Sequence, residues 1–435
     1  MKSSGPFNFL LTTIVVLFSL NPPYVFASFT GNYQTDEWKF ECQREELAPK
    51  HWADNKVLYE GMPTLAMSGD GRPHANGHYF KTVDVTPGTY YRFSTHFKTV
   101  NIEEVERCVL ARIVWLNKDL KRTGFIEYPA LTKDLKENEW NQISQVYLIP
   151  DEAVKARIEL VYRWDADGTT YYGGTTLMKT EKPDPRLVKL ASVHYRPRNT
   201  SSPQENLEKF AMHLHKAGEK RADIVCLPEG ITMAGTGKTY LEVSEPVPGP
   251  STDFLGEIAK KHEMYIVAGI YEREGPVVYN TSVLIGRDGK FIGKYRKVSL
   301  PREEIEGGIT PGNSFPVFDT DFGRIGMMIC WDVTFPEPAK NLASKGAEVI
   351  FMPIWGGNIN LAKARAIENQ IYLVSSAYDM KTGVFDLEGE LIVEGTDKDP
   401  VAIVEIDLNE QKLWPWLGEY KNRIARERPP KNIVK

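Results

Sequence analysis

Cys330 ends an apolar run, GRIGMMIC, and is followed by Trp331-Asp332 and then by Phe335-Pro336-Glu337. A thiol placed where a buried strand turns toward a helix can act as a nucleophile, and the next backbone N–H, that of Trp331, can donate to an oxyanion. Two further segments carry reactive groups in comparable settings. In DIVCLPEG an apolar stretch delivers Glu229 to its carboxyl end, with Pro228 fixing the backbone just before it. A carboxylate there suits general acid–base work. In GKYRKVSLP, Lys297 follows a strand and precedes a proline-terminated loop. A fixed ammonium at that point stabilises an oxyanion and a neighbouring thiolate. Each residue also has a plainer reading. Glu229 suits a solvated loop, Lys297 a surface run with Lys294 and Arg296, and Cys330 a buried structural thiol.

The elements that would position these groups alternate in type. Strands are expected over 188–194, 224–227, 264–271, 277–285, 291–295, 325–329, 349–352 and 371–377, and helices over 203–218, 252–262, 336–345 and 360–370. The first helix shows the reasoning: Leu207, Phe210, Ala211 and Leu214 fall at helical spacing. Such alternation marks an α/β domain, in which ligands gather beyond the carboxyl ends of strands. Residues 28–180 read differently. Strands expected over 79–85, 90–98, 109–115, 141–149 and 156–162 are separated by turns such as Thr86-Pro87-Gly88-Thr89, without long helical periodicity. That pattern predicts an antiparallel β-sandwich, jelly-roll-like, over 28–180. Residues 181–187, with two prolines in KTEKPDPR, read as a linker, 188–410 as the α/β domain, and 411–435 as a C-terminal extension.

Taken together and in this order, LPEG, KYRKVSLP and ICWDVTFPE resemble the three motifs of the nitrilase superfamily of carbon–nitrogen hydrolases. Gly307-Gly308-Ile309-Thr310-Pro311-Gly312 and Ala364-Arg365-Ala366-Ile367-Glu368-Asn369 fit flanking segments of that family. The resemblance implies a four-layer α-β-β-α sandwich. It implies Cys330 as nucleophile, Glu229 as general base and Lys297 as the cation at the tetrahedral intermediate. It also implies a second glutamate between the lysine and the cysteine. Glu303, Glu304 and Glu306 are the candidates, and Glu306 is chosen because Ile305-Glu306-Gly307 is most similar to the family's local pattern. Trp331 stands where many members carry tyrosine, and its N–H is the expected oxyanion donor. The chemistry implied is cleavage of an amide or N-carbamoyl C–N bond through a thioester, with neither metal nor organic cofactor. Nitrile hydrolysis is the alternative, and an acyl acceptor other than water would use the same thioester.

The rest of the chain bounds its partners. Its 53 basic and 58 acidic residues are dispersed, without the concentrated positive face that nucleic acid requires. A small amide is the expected partner. Residues 9–20, FLLTTIVVLFSL, rise only ~18 Å as a helix, short of a ~30 Å hydrocarbon core. With Lys2 before them and Val25-Phe26-Ala27 after, they read as a signal peptide over 1–27, and the protein as secreted or periplasmic. In that setting Cys42 and Cys108 are candidates for a disulfide. The sandwich would be free to hold carbohydrate or a cell-surface ligand, and a secreted binding protein with an inactive hydrolase domain is the reading from a different class. Its tryptophans, Trp38, Trp52, Trp115, Trp140 and Trp164, more commonly belong to a core. Trp414 and Trp416 lie where related chains carry an extension that packs on a neighbouring subunit, which implies a homo-oligomer.

Overall fold

The computed structural model describes residues 37–131 and 134–428, so the segment read as a signal peptide lies outside the described residues. Side-chain alternation builds the N-terminal part. In the strand Tyr90–Val100 every second residue, Tyr91, Phe93, Thr95, Phe97 and Thr99, is buried. Period-two burial is what a sheet with one covered face requires. Two five-stranded antiparallel sheets result. One holds Lys39–Cys42, Asn76–Asp84, Lys155–Arg163, Val109–Leu116 and Arg122–Glu127, and the other Lys50–Tyr59, Met62–Ser68, Thr169–Thr180, Tyr90–Val100 and Asn141–Leu148. Their inner faces share one core containing Trp115, Tyr162, Phe93 and Phe97.

The first of these sheets decides the question of the cysteines. Cys42 pairs with Gly77, Gly77 with Tyr162, and Tyr162 with Val109, the neighbour of Cys108. Three strand spacings of ~4.8 Å put Cys42 ~14 Å from Val109, whereas a disulfide needs Cα atoms within ~7 Å. Both thiols are free and buried.

From Leu187 onward two mixed six-stranded sheets lie face to face. Leu187–Val193, Ile224–Cys226 and Tyr265–Glu274 run parallel, flanked by the antiparallel strands Val401–Asp407 on one side and Val277–Ile285 and Phe291–Arg296 on the other. In the second sheet Arg324–Met327, Val349–Ile354 and Tyr372–Ala377 run parallel, with antiparallel strands Val317–Asp319, Thr382–Phe385 and Leu391–Gly395 outside them. Residues of the first sheet divide by parity. Ile224 and Cys226 enter a core shared with Met327, Phe351 and Val374 of the second sheet, while Val225 packs with Leu207, Phe210 and Leu255 of the helices Pro203–Glu219 and Pro250–His262. The helices Pro336–Ser344 and Ile359–Asn369 contribute Leu342 and Ala366 to the core of the second sheet. The expected four-layer α-β-β-α order is therefore present, preceded by the expected antiparallel β-sandwich.

The C-terminal segment makes contacts within its own chain. The short strands Leu413–Trp414 and Gly418–Glu419 form a hairpin before the helix Lys421–Glu427. This segment seats on the N-terminal sandwich of its own chain. Arg426, 1% exposed, donates from its guanidinium to the Pro129 carbonyl at 2.6 Å. Asn422 donates to Gln145 at 2.7 Å, and Arg163 donates to the Arg426 carbonyl at 2.7 Å. One guanidinium nitrogen thus has a carbonyl acceptor, and the charge of Glu419 offsets part of the cost of burial. The helix is held within the chain, while Trp416 in the hairpin turn stays 77% exposed.

Candidate active site

Four strand ends converge at one end of the paired sheets. Beyond Ile224–Cys226 the chain carries Glu229, beyond Phe291–Arg296 Lys297, beyond Arg324–Met327 Cys330, and beyond Val349–Ile354 Trp355. Lys297 is 1% exposed and Glu229 3%. The Lys297 ammonium lies 2.9 Å from Glu229 Oε1 and 2.9 Å from Glu304 Oε2. The Trp355 N–H donates to Glu229 Oε2 at 2.9 Å. Asn280 Nδ2 donates to Glu229 Oε1 at 2.7 Å and to Glu304 Oε1 at 2.6 Å. Gly269 makes room for this arrangement. A Cβ there would stand 2.7 Å from the Glu229 Cα, closer than folded chains tolerate. Gly269→Ala is expected to cost about 1–3 kcal/mol through displaced backbone and to lower kcat/KM with it. Thermal unfolding beside amide kinetics checks this, and an unchanged pair of values would remove the constraint.

Cys330 has φ of +43°, in the left-handed region that side chains with a Cβ avoid. Asp332 holds this turn. Its carboxylate accepts from the Ile329 N–H at 2.9 Å, the Ser299 N–H at 2.8 Å and the Tyr295 hydroxyl at 2.8 Å. The nucleophile turn and the loop after Lys297 are thereby tied to one side chain. Burial pushes the Asp332 carboxyl up, against the pull of these three donors. The Cys330 sulfur lies 3.7 Å from the Gly356 carbonyl oxygen and also contacts the Glu229 carboxylate and the Trp355 N–H. The Trp331 N–H donates to no acceptor among the described residues, which leaves it open to an oxyanion.

The electrostatics follow from burial. Burial, then the charge of Glu229, pushes the Cys330 thiol up to about 12, and the opposing pull of Lys297 is smaller. The resting sulfur is therefore protonated at neutral pH. For Lys297, burial alone would favour the neutral amine, but Glu229, the sulfur and Glu304 outweigh it and hold the ammonium charged. Glu304 is pushed up by burial, despite Lys297 beside it.

Of the residues the sequence singled out, Glu229, Lys297, Cys330 and Trp331 come together. Glu306 does not, and the choice of the second glutamate is corrected to Glu304. Glu304, Ile305 and Glu306 all lie in the helix Arg302–Glu306. Residues two apart on a helix point to opposite sides. Glu304 faces inward at 5% exposed, whereas Glu306 faces solvent and pairs with Arg302 at 2.6 Å. Asn280, Asp332 and the Trp355 N–H had also gone unread.

Comparison with known proteins gives the family. The carbon-nitrogen hydrolase family matches residues 189–415. The chain belongs to this family, within the nitrilase superfamily. Omega-amidase NIT2-B of Xenopus laevis is 32% identical over 253 residues, covering 52% of the chain and 88% of the relative. A nitrilase of Pyrococcus abyssi is 38% identical over 205 residues, covering 44% and 74%. Among solved structures, Nit3 of Saccharomyces cerevisiae aligns with a TM-score of 0.46 at 27% identity, over 51% of this chain and 90% of that one. This carbon-nitrogen hydrolase carries the β-sandwich, whose strands run from Lys39 to Thr180, ahead of the matched segment.

Proposed function

We propose that the enzyme hydrolyses a small carboxamide or N-carbamoyl compound through a Cys330 thioester. The observation that carries this reading is the meeting of Glu229 with the Cys330 sulfur, the Lys297 ammonium and the Trp355 N–H. Because the resting thiol is protonated, attack on the carbonyl carbon is concerted with transfer of its proton to Glu229. The C–O π pair moves onto oxygen, which the Lys297 ammonium and the Trp331 N–H stabilise. Glu229 returns the proton to the leaving nitrogen as the C–N bond breaks, and ammonia or an amine departs. Water then attacks the thioester carbon, giving its proton to Glu229. The C–S bond breaks and the thiol is restored as the acid leaves. Glu304 acts on Lys297, giving the ammonium a second carboxylate partner beside Glu229.

An amide is favoured over a nitrile by the similarity to an omega-amidase over most of that protein's length. Ammonia release from propionamide, succinamate, N-carbamoyl-β-alanine and benzonitrile tests the reading. Hydrolysis of an amide or carbamoyl compound at least tenfold faster than the nitrile is expected. Turnover of benzonitrile alone would overturn it.

A further inference from the structure

One residue bonds both carboxylates of the buried charge cluster and the backbone of its lysine, and the mechanism above gives it no role. Asn280 sits in the strand Val277–Ile285, 1% exposed. Its side-chain amide donates one N–H to Glu229 Oε1 at 2.7 Å and the other to Glu304 Oε1 at 2.6 Å. Its backbone carbonyl accepts from the Lys297 N–H at 2.8 Å. The orientation of the amide is fixed by chemistry. Turned over, its oxygen would face two carboxylate oxygens, and only donors can stand there.

The charge balance explains why an amide is needed. Two carboxylates share one ammonium, so the second negative charge lacks a cation partner among these groups. A further lysine or arginine would restore neutrality, but it would also draw on Glu229 and weaken it as a base. An amide supplies two donors with no net charge. It holds the carboxylates apart and oriented, and it leaves Glu229 able to take a proton from sulfur. The Asn280 Oδ1 itself meets no donor among the described residues. A buried orphan acceptor is a cost that an asparagine present only for packing would not carry.

We propose that Asn280 is a positioning residue of the hydrolytic site, holding the Glu229 and Glu304 carboxylates in register with Lys297. This rests on the reading of Glu229 as the base. Removing the amide leaves two carboxylates facing each other with one shared cation. One of them then binds a proton more readily, and the base is withdrawn at a higher pH than in the parent.

The test is the pH profile of kcat/KM for Asn280→Ala and Asn280→Asp, on whichever amide of the panel the parent hydrolyses fastest. For Asn280→Ala a loss of about 30-fold or more is expected, with the acid limb moved up by about one pH unit and KM changed less than threefold. Asn280→Asp keeps the size but adds a third carboxylate. It is expected to lose activity at neutral pH and recover part of it under acid conditions, where the new group is protonated and can donate. It also covers the case in which the alanine variant does not fold. Profiles parallel to the parent in position, with kcat/KM within twofold, would overturn the proposal. If the parent hydrolyses nothing in the panel, the amidase reading fails, and Asn280 is read instead from alkylation of Cys330 by iodoacetamide against pH. An alkylation profile in Asn280→Ala identical to the parent's overturns the positioning role, and a displaced one supports it.

Discussion

Cys330→Ala should reduce kcat/KM on the fastest amide by on the order of 10^4-fold or more, equivalent to about 5 kcal/mol of transition-state stabilisation. The fold should persist, because Asp332 holds the turn through backbone N–H groups that the substitution leaves in place. The sulfur is the only atom lost, and the Glu229–Lys297 pair remains. An alanine variant as fast as the parent would remove the thioester route, and the reading as an inactive hydrolase carrying a binding domain would gain ground. The pH dependence gives an independent check. Burial raises the Cys330 thiol to about 12, so the resting sulfur carries its proton throughout the neutral range. Alkylation by iodoacetamide should be slow at pH 7 and still be rising above pH 9. Burial also raises the other three thiols, each more buried than Cys330, so the signal belongs to the nucleophile. Hydrolysis should not follow that titration, because Glu229 removes the proton only as the bond forms. A thiolate titrating near pH 7 would replace the concerted transfer with a preformed ion pair.

What the sequence carried was the set of strand ends. Ile224-Val225-Cys226 and Ile325-Gly326-Met327-Met328-Ile329 are apolar on both faces because helices cover one side of each sheet and a second sheet covers the other. A charged or nucleophilic residue just past such a run has few places to go except the site. Glu229, Lys297 and Cys330 were legible for that reason. Asn280 was not. It lies inside VVYNTSVLI, where Asn280, Thr281 and Ser282 are polar in succession and the pattern gives no sign of which one meets a carboxylate. The strand Thr169–Thr180 was not among those expected; within it Gly173-Gly174 marks a shift of register over the Tyr59 ring. The seat of the C-terminal helix was hidden by distance. The carbonyl that accepts from Arg426 lies 297 residues earlier in the chain, beyond the reach of any local pattern. The second glutamate failed on orientation. Ile305 is the only apolar residue of its short helix, and it is 60% exposed, so it pointed toward the wrong neighbour.

That orientation can be put to a direct comparison. Glu304→Gln should lower kcat/KM by about 10^2-fold or more, while Glu306→Gln should leave it within about twofold. Glu304 receives the Lys297 ammonium on one oxygen and the Asn280 N–H on the other. Glutamine of the same length can offer its oxygen to only one of them and must turn its NH2 toward the other. A donor then faces a donor in a dry site, and Lys297 loses one of its two anionic partners. Glu306 meets only Arg302 across an exposed helical turn, a pairing that contributes at most a few tenths of a kcal/mol. Stability should move differently from activity. Burial holds the Glu304 carboxyl above its ordinary value of 4.5. A raised folded-state value means that the protonated form stabilises the fold at low pH, and this contribution is lost as the pH rises through the raised value. Glutamine cannot titrate, so the Tm of Glu304→Gln should vary less between pH 4 and pH 7 than that of the parent, even as its activity falls. A greater loss of activity in Glu306→Gln than in Glu304→Gln would return the second glutamate to the exposed face of the helix, where no contact with Lys297 exists to explain it.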